Sequence, residues 1–489
     1  MSVSVTQYKN FVGGEWVDAA SGETMEVLNP ATGEVIARYE AHDNVTLEHL
    51  LSRAWDRWRD EWQHRALDER LEILVSAGKV LDDRRDELAE LVTIEMGKPI
   101  SAARAEVQKC AWLCRHYAEH APAYLEPQTV DTEALRSYVR FDPLGPILAV
   151  MPWNFPLWQV FRFAVPNLAA GNVGLLKHAS ITTGCALAVQ EVLEQAGLPE
   201  GCFTTLLIGH RATADIIADR RVRGVTLTGS DGAGRAVSQA AGRNLKKTVL
   251  ELGGSDPCIV LADADLDRAA RAAVASRYLN TGQSCINAKR IIVVDDVYDD
   301  FLERFRAEAE ALKLGDPMDE DTDLGPLARD DLRDTVHDQV QRTLAHPDGG
   351  RLVIGGEPVD GPGYFYPATI IRDVDPEAPA AKEEVFGPVA AFIRAEDEAA
   401  AVELANASVF GLGAAVWTGD VERGQRLAAR IESGSVFVNE LVKSDPRLPF
   451  GGVKESGYGR ELAREGAIEF TNVKTVWVAG SGTAADKVE

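Results

Sequence analysis

The sequence predicts an α/β protein with two domains built on mostly parallel sheets, and a small third sheet set apart from both. Three observations lead there. The chain has 489 residues, more than one ordinary hydrophobic core serves, so two or more domains are expected. Between residues 145 and 265 short apolar, β-branched runs alternate with helical stretches, and a second pattern of the same kind runs from 287 to 431. Strands alternating with helices in this way form parallel sheets covered on both faces. Two further segments, 134–141 and 475–479, read as strands lying apart from both sheets.

Taken in order, residues 11–40 alternate short apolar runs with Gly, Asn-Pro and Thr-Gly turn signals and read as a few strands. From 46 to about 120 the apolar spacing becomes three and four, as at Leu71, Leu74 and Val75. That spacing is helical, with an interruption at Gly97-Lys98-Pro99. The runs at 147–150, 173–176, 204–208 and 225–228 are the expected strands of the first sheet, and those at 290–294, 389–393 and 413–417 belong to the second. Parallel sheets bind ligands beyond the carboxyl ends of their strands. The chemistry is therefore expected just after these runs.

Composition removes several function classes. The formal net charge is −25, from 76 acidic and 51 basic residues, which disfavours nucleic acid and anionic membrane surfaces as partners. The acidic residues are dispersed, which fits either an ordinary solvated surface or one adapted to high salt. No apolar stretch approaches the roughly 20 residues of a spanning helix. Residues 1–10 lack a basic and apolar secretory leader, so the cytoplasm is the expected location. Six cysteines in a chain of this length are no disulfide framework. Cys110 and Cys114 read as core thiols, His116 and His120 as packing or surface histidines, and no metal site is expected.

Three residues stand out chemically. Cys285 ends the polar loop Asn280-Thr281-Gly282-Gln283-Ser284. A thiol there is more exposed than a core cysteine, and a neighbouring N–H either lowers its pKa or binds a developing oxyanion. Taken alone, a structural thiol remains the plainer reading. Glu251 follows Thr248-Val249-Leu250 and precedes Leu252-Gly253-Gly254. A strand-end carboxylate beside two glycines is open to close approach, and partial burial raises its pKa toward that of a general base. Without a partner motif it is equally a turn residue. Asn154 sits in Pro152-Trp153-Asn154-Phe155-Pro156, where two prolines fix the backbone around a side-chain amide suited to an oxyanion donor.

These motifs occur with Leu176-Lys177-His178-Ala179-Ser180, Leu227-Thr228-Gly229-Ser230, Glu383-Glu384-Val385-Phe386-Gly387-Pro388 and Pro449-Phe450-Gly451-Gly452-Val453-Lys454. In this order and near this spacing they resemble the aldehyde dehydrogenase superfamily over about residues 8–478. The resemblance implies a Rossmann-like cofactor domain at 1–125 and 144–252, an α/β catalytic domain at 253–445, and a β oligomerisation flap at 126–143 and 472–489. Residues 446–471 return to the cofactor domain. It makes Cys285 the nucleophile that carries a thioester, Asn154 and the Cys285 N–H the oxyanion donors, and Glu251 the base that activates water for hydrolysis. It places Trp153, Lys177, Ser180, Gly229, Ser230, Glu384 and Phe386 on the cofactor, NADP or NAD. Ser180 stands where NAD-strict members often carry Glu, so NADP is expected to be accepted. The implied assembly is a homodimer or homotetramer.

Within that superfamily the motifs Glu251-Leu252-Gly253-Gly254-Ser255-Asp256-Pro257, Ala288-Lys289-Arg290 and Leu324-Gly325-Pro326-Leu327-Ala328-Arg329 resemble the NAD(P)-linked succinate-semialdehyde dehydrogenases. That implies a substrate with a second carboxylate, met by Arg162, with Arg290 and Ser444 (beside Lys443) as further contacts. Three other readings are weighed beside it. They are an aldehyde dehydrogenase for uncharged or amino-aldehydes, a cysteine hydrolase (for which none of the nine histidines sits in a suitable motif) and a non-enzymatic binding protein on the same fold.

Overall fold

A computed structural model describes residues 23–480, together with the backbone of 6–8, 10–12 and 15–17. The expected early strands are Asn10–Val12, Glu15–Val17, Thr24–Asn29 and Glu34–Glu40. Four helices follow, at Asn44–Asp60, Leu67–Asp83, Arg85–Met96 and Ile100–Tyr124, the last termed α1. The interruption falls at Gly97, whose φ of +81° ends the preceding helix in the left-handed conformation that glycine adopts without penalty. Along α1 Val107, Cys110, Cys114 and Tyr117 are fully buried. Their three-and-four spacing turns one face of the helix to the core, and it places both cysteines among apolar neighbours.

The first parallel sheet comprises β1 (Pro146–Met151), β2 (Val173–His178), β3 (Phe203–Thr205), β4 (Gly224–Thr228) and β5 (Lys247–Glu251). Its helices include α2 (Trp158–Ala170) and α3 (Asp231–Arg243). The spatial order is β3-β2-β1-β4-β5, closed by an antiparallel two-residue strand, Gly457–Tyr458, on β5. From β1 the chain builds outward through β2 and β3, then crosses back to lay β4 on the other side. Strand order thus reverses between β1 and β4, the position at which such sheets open a ligand crevice. The run at 204–208 stops as a strand at Thr205, because the Leu207 N–H turns to His42 Nδ1 (3.2 Å) and the Leu207 carbonyl accepts from the His42 N–H (2.8 Å).

The second sheet has seven strands, parallel except for the pair Arg351–Ile354 and Thr369–Arg372. Ala288–Val294, Val389–Ala395 and Gly413–Trp417 match the expected runs. Asp256–Val260 and Ser435–Val438 are additions, the first hidden by an Asp-Pro start that reads as a turn. The two segments expected apart from the sheets pair with one another. Thr471–Val478 runs antiparallel to Arg136–Pro143 in unbroken register, and Gln128–Thr129 flanks the far side. The expected flap tail, 481–489, lies outside the described residues. Among the described residues no helix is long and apolar enough to cross a membrane.

Candidate active site

Because β1, β4 and β5 are consecutive neighbours, their carboxyl ends deliver Pro152-Trp153-Asn154, Gly229-Ser230 and Glu251 to one crevice. A cavity of about 230 Å³ lies there, with Asn154, Ser230, Glu251, Cys285, Glu384 and Phe386 in its wall. Trp153 and Gly229 also line it. The Trp153 and Phe386 rings meet edge to face at 5.8 Å, giving one apolar side. Gln159 and Thr228, which sequence reasoning did not single out, complete the polar side.

The Cys285 loop is held by geometry rather than propensity. Asn280, Thr281 and Gly282 take φ values of 53°, 54° and 76° in succession. Two adjacent non-glycine residues in this region are costly and persist only where surroundings over-determine them. Those surroundings are visible. Asn280 Nδ2 donates to the Asn154 carbonyl (2.8 Å), Thr281 Oγ1 accepts from the Gly325 N–H (3.0 Å), and Gln283 Oε1 accepts from the Ala328 N–H (2.9 Å). A side chain at Gly282 would meet the Gly387 carbonyl oxygen at 2.3 Å.

Lys289 has no role of its own in the sequence beyond its place in the Ala288-Lys289-Arg290 motif, yet it is a main fastening of the site. It is 1% exposed, and its Nζ donates to the Gly254 carbonyl (2.6 Å), the Cys285 carbonyl (2.9 Å) and Glu384 Oε1 (3.0 Å). One ammonium thereby joins the Cys285 backbone, the glycine loop after β5 and Glu384. The signal was its place in the otherwise apolar strand Ala288–Val294, since a lysine there needs buried partners. Glu384 also accepts from the Gly254 N–H at 3.0 Å, and a Cβ on Gly253 would stand 2.4 Å from its Oε2. The glycine pair lets this carboxylate lie against the backbone.

Asn154 Nδ2 donates to the Gln283 carbonyl (3.1 Å), and its Oδ1 accepts from Gln159 Nε2 (3.2 Å). An amide nitrogen carries two donors, so one N–H remains for a ligand in the cavity. Burial pushes the Cys285 thiol up to about 12, against the opposing pull of Lys289 and Arg162. Of the two roles expected for the neighbouring N–H, lowering the pKa or binding an oxyanion, the first is overturned: desolvation outweighs the nearby positive charge, and the resting thiol is neutral. Glu251 is 2% exposed, and burial, with the charge of Glu461 behind it, raises its pKa well above the usual carboxylate range. Among the described residues neither of its carboxyl oxygens has a hydrogen-bond partner. A buried, unsatisfied carboxyl facing a cavity is suited to exchange protons there.

The structure separates the expected substrate contacts from one another. Arg162 is buried and forms an ion pair with the equally buried Glu461. It also donates to Thr228 Oγ1 at 3.2 Å and stacks on Phe450 at 4.7 Å. Its charge is neutralised within the protein. Arg290 donates from Nε to the Ser255 carbonyl (2.8 Å), from Nη1 to that of Leu404 (2.7 Å) and from Nη2 to that of Ala405 (2.9 Å). It is a structural clamp between segments, not a cavity residue. Ser444 is buried and accepts a hydrogen bond from Lys109 Nζ at 2.9 Å. Lys443 is exposed and faces Glu440 at 3.4 Å.

Of the remaining residues expected at the cofactor, Ser230 lines the cavity, while Lys177 and Ser180 lie outside its wall, at and beyond the end of β2. Ser230 is the N-cap of α3 and accepts from the Ala233 N–H at 3.3 Å, so free backbone N–H groups and the positive end of a 13-residue helix face the cavity. Lys177, near the end of β2, is partly buried, which lowers its pKa, and Ser180 opens the exposed turn beyond. A helix N-terminus for a pyrophosphate, a lysine for ribose oxygens and two aromatic edges for a flat ring make a donor set that fits a nicotinamide dinucleotide.

Comparison with known proteins agrees with this geometry. Residues 16–476 match the model of the aldehyde dehydrogenase family. A probable NADP+-dependent succinate-semialdehyde dehydrogenase of Synechocystis is 50% identical over 452 residues, covering 92% of this chain and 99% of that one. The NAD(P)+-dependent succinate semialdehyde dehydrogenase of Escherichia coli is 50% identical over 450 residues, 92% and 97% of the two chains. Among solved structures, succinic semialdehyde dehydrogenase from Streptococcus pyogenes in complex with NADP+ superposes with a TM-score of 0.91 at 39% identity, covering 93% of this chain and 100% of that one. An NAD-dependent aldehyde dehydrogenase from Sinorhizobium meliloti gives a TM-score of 0.93 at 33% identity, covering 98% and 95%. The match spans both parallel sheets and the cavity between them, and the chain belongs to the aldehyde dehydrogenase family.

Proposed function

We propose that this protein oxidises succinate semialdehyde to succinate in the cytoplasm, with NADP or NAD as hydride acceptor. One observation carries the chemistry: Cys285, Glu251 and Asn154 line a single cavity that continues to Ser230 and Phe386. The choice of aldehyde is supported by relatives half identical to this chain that bear that substrate in their names. Glu251 accepts the thiol proton as Cys285 Sγ attacks the aldehyde carbon. The new oxyanion is met by the free Asn154 N–H and the Cys285 backbone N–H, both of which strengthen as charge develops. A nicotinamide held there would supply the acceptor for the hydride that leaves this carbon, so that an acyl thioester on Cys285 would remain. Glu251 releases the thiol proton to solvent, takes another from the attacking water and returns it to the departing Cys285 thiolate, so that hydrolysis frees the acid and the thiol. Lys177, Ser180, Ser230, Glu384 and Phe386 hold the dinucleotide in this reading. Ser180 presents a neutral hydroxyl where a carboxylate would repel a 2′-phosphate, which supports use of NADP.

The domain division at 252/253 and a dimer or tetramer assembled through the outlying sheet belong to the same proposal. Its support is that Thr471–Val478 is an edge strand carrying the exposed apolar residues Val473 and Trp477, a surface that invites pairing. The test is initial-rate reduction of NAD and NADP with succinate semialdehyde, glutarate semialdehyde, an ω-aminoaldehyde and butanal, with Cys285→Ala as the control. The expected result is the highest kcat/KM for succinate semialdehyde and no turnover by Cys285→Ala. Equal rates on butanal would reject the substrate while leaving the chemistry in place.

A further inference from the structure

With Arg162 held by Glu461 and Arg290 held by carbonyls, a dicarboxylic product needs another cation. Lys109, on α1, is the candidate. Its Nζ lies 4.2 Å from the centroid of Trp158 and donates to Ser444 Oγ at 2.9 Å. Trp158 opens α2 directly after the Asn154 loop, and the next residue, Gln159, both lines the Cys285 cavity and donates to Asn154. Arg162 is a common neighbour, since its charge acts on Lys109 and on Cys285 alike. Lys109 thus packs at the start of α2, one residue from the cavity wall at Gln159, with Ser444 and Trp158 around its ammonium.

What marks this lysine is the lack of an anion. Every carboxylate that faces it serves another group. Glu106 accepts the Leu157 and Trp158 N–H groups at 2.9 Å each and pairs with Lys98. Asp445 is bound through both oxygens by Arg447, at 2.8 and 2.6 Å. Glu461 pairs with Arg162. Among the described residues Lys109 has no ion-pair partner, while burial and the like charge of Arg162 draw its pKa down to about 8. A half-buried ammonium without an anion is less favourable than a paired one, and proteins ordinarily pair such charges. A ligand carboxylate would supply the missing partner.

We infer that Lys109, with Ser444 beside it, receives the distal carboxylate of the substrate and is the specificity-determining cation of this site. The inference rests on the proposed oxidation of a semialdehyde carboxylate and adds the residue that selects it. An anion there forms a charge-assisted hydrogen bond with Nζ, favours the protonated lysine, and leaves the aldehyde end free for Cys285.

The experiment compares succinate semialdehyde with butanal, the uncharged aldehyde of the same length, in wild type, Lys109→Met and Lys109→Arg. Lys109→Met is expected to raise KM for succinate semialdehyde about 10- to 100-fold, the range for losing a charged hydrogen bond, with kcat and butanal oxidation within about twofold. Lys109→Arg is expected to restore much of the selectivity. Direct binding of succinate by calorimetry supplies a readout independent of turnover, and should weaken by a similar factor in Lys109→Met. If wild type prefers succinate semialdehyde and Lys109→Met keeps the same selectivity and succinate affinity, the assignment of Lys109 is overturned while the proposed function stands. If wild type itself shows no preference over butanal, both fall together. Should Lys109→Met fail to fold, Lys109→Gln gives the same comparison.

Discussion

Replacing Arg162 by Met separates two roles that the sequence left joined. As a substrate clamp, Arg162 would affect only carboxylate-bearing aldehydes. In the structure it neutralises Glu461, which lies behind Glu251. Removing one member of a buried ion pair costs about 3–5 kcal/mol, because the other charge is left without compensation. Both carboxyls already have raised pKa values, and Arg162 opposes the rise in each. Without it, both rise further. A group whose folded pKa is raised contributes stability that is present below its unfolded value and lost as pH climbs through the folded one. The deficit of Arg162→Met should therefore be small below the ordinary Glu value of 4.5 and grow toward alkaline pH, where Glu461 ionises alone. Urea midpoints at acid, neutral and alkaline pH measure this, and the pH profile of kcat should move to higher pH for butanal and succinate semialdehyde alike. A variant that keeps wild-type stability and pH profile, yet loses selectivity for the carboxylate substrate, would refute the argument and restore the clamp.

Further outcomes follow from the same geometry. Glu251→Gln should lower steady-state turnover by about 10²- to 10⁴-fold, the usual range for a general base, and stopped-flow traces should show whether a thioester accumulates. Alkylation of the ligand-free enzyme by iodoacetamide should be slow at neutral pH and accelerate toward the Cys285 value of about 12; rapid, pH-independent labelling at pH 7 would contradict a neutral resting thiol. Ser180→Glu should weaken NADP by at least about tenfold relative to NAD through charge repulsion, as read from the ratio of kcat/KM values. Lys289→Met should lower both the urea midpoint and kcat, since it frees the Cys285 and Gly254 carbonyls and Glu384 together; a change in KM alone would argue against that positioning role.

The sequence alone determined the alternation of strands and helices, the helical break at Gly97, the burial of Cys110 and Cys114, and the standing of Asn154, Glu251 and Cys285 as polar residues at strand ends and in loops. These are local properties. Periodicity records which residues face a core, and a strand end followed by glycine or proline records where a backbone stops. The tertiary structure decided which charges meet. Nothing near Arg162 in the chain announces Glu461, and nothing near Lys109 announces Ser444, 335 positions away. An arginine in sequence is only a charge on a long side chain. Whether it greets a ligand, as was expected of Arg162 and Arg290, or is neutralised inside the protein depends on anions and carbonyls brought in by distant segments. The same holds for the Cys285 thiol: its loop offers an N–H able to lower the pKa, yet burial among neighbouring elements raises it. Desolvation is a sum over everything packed around a group, and no window of sequence contains that sum.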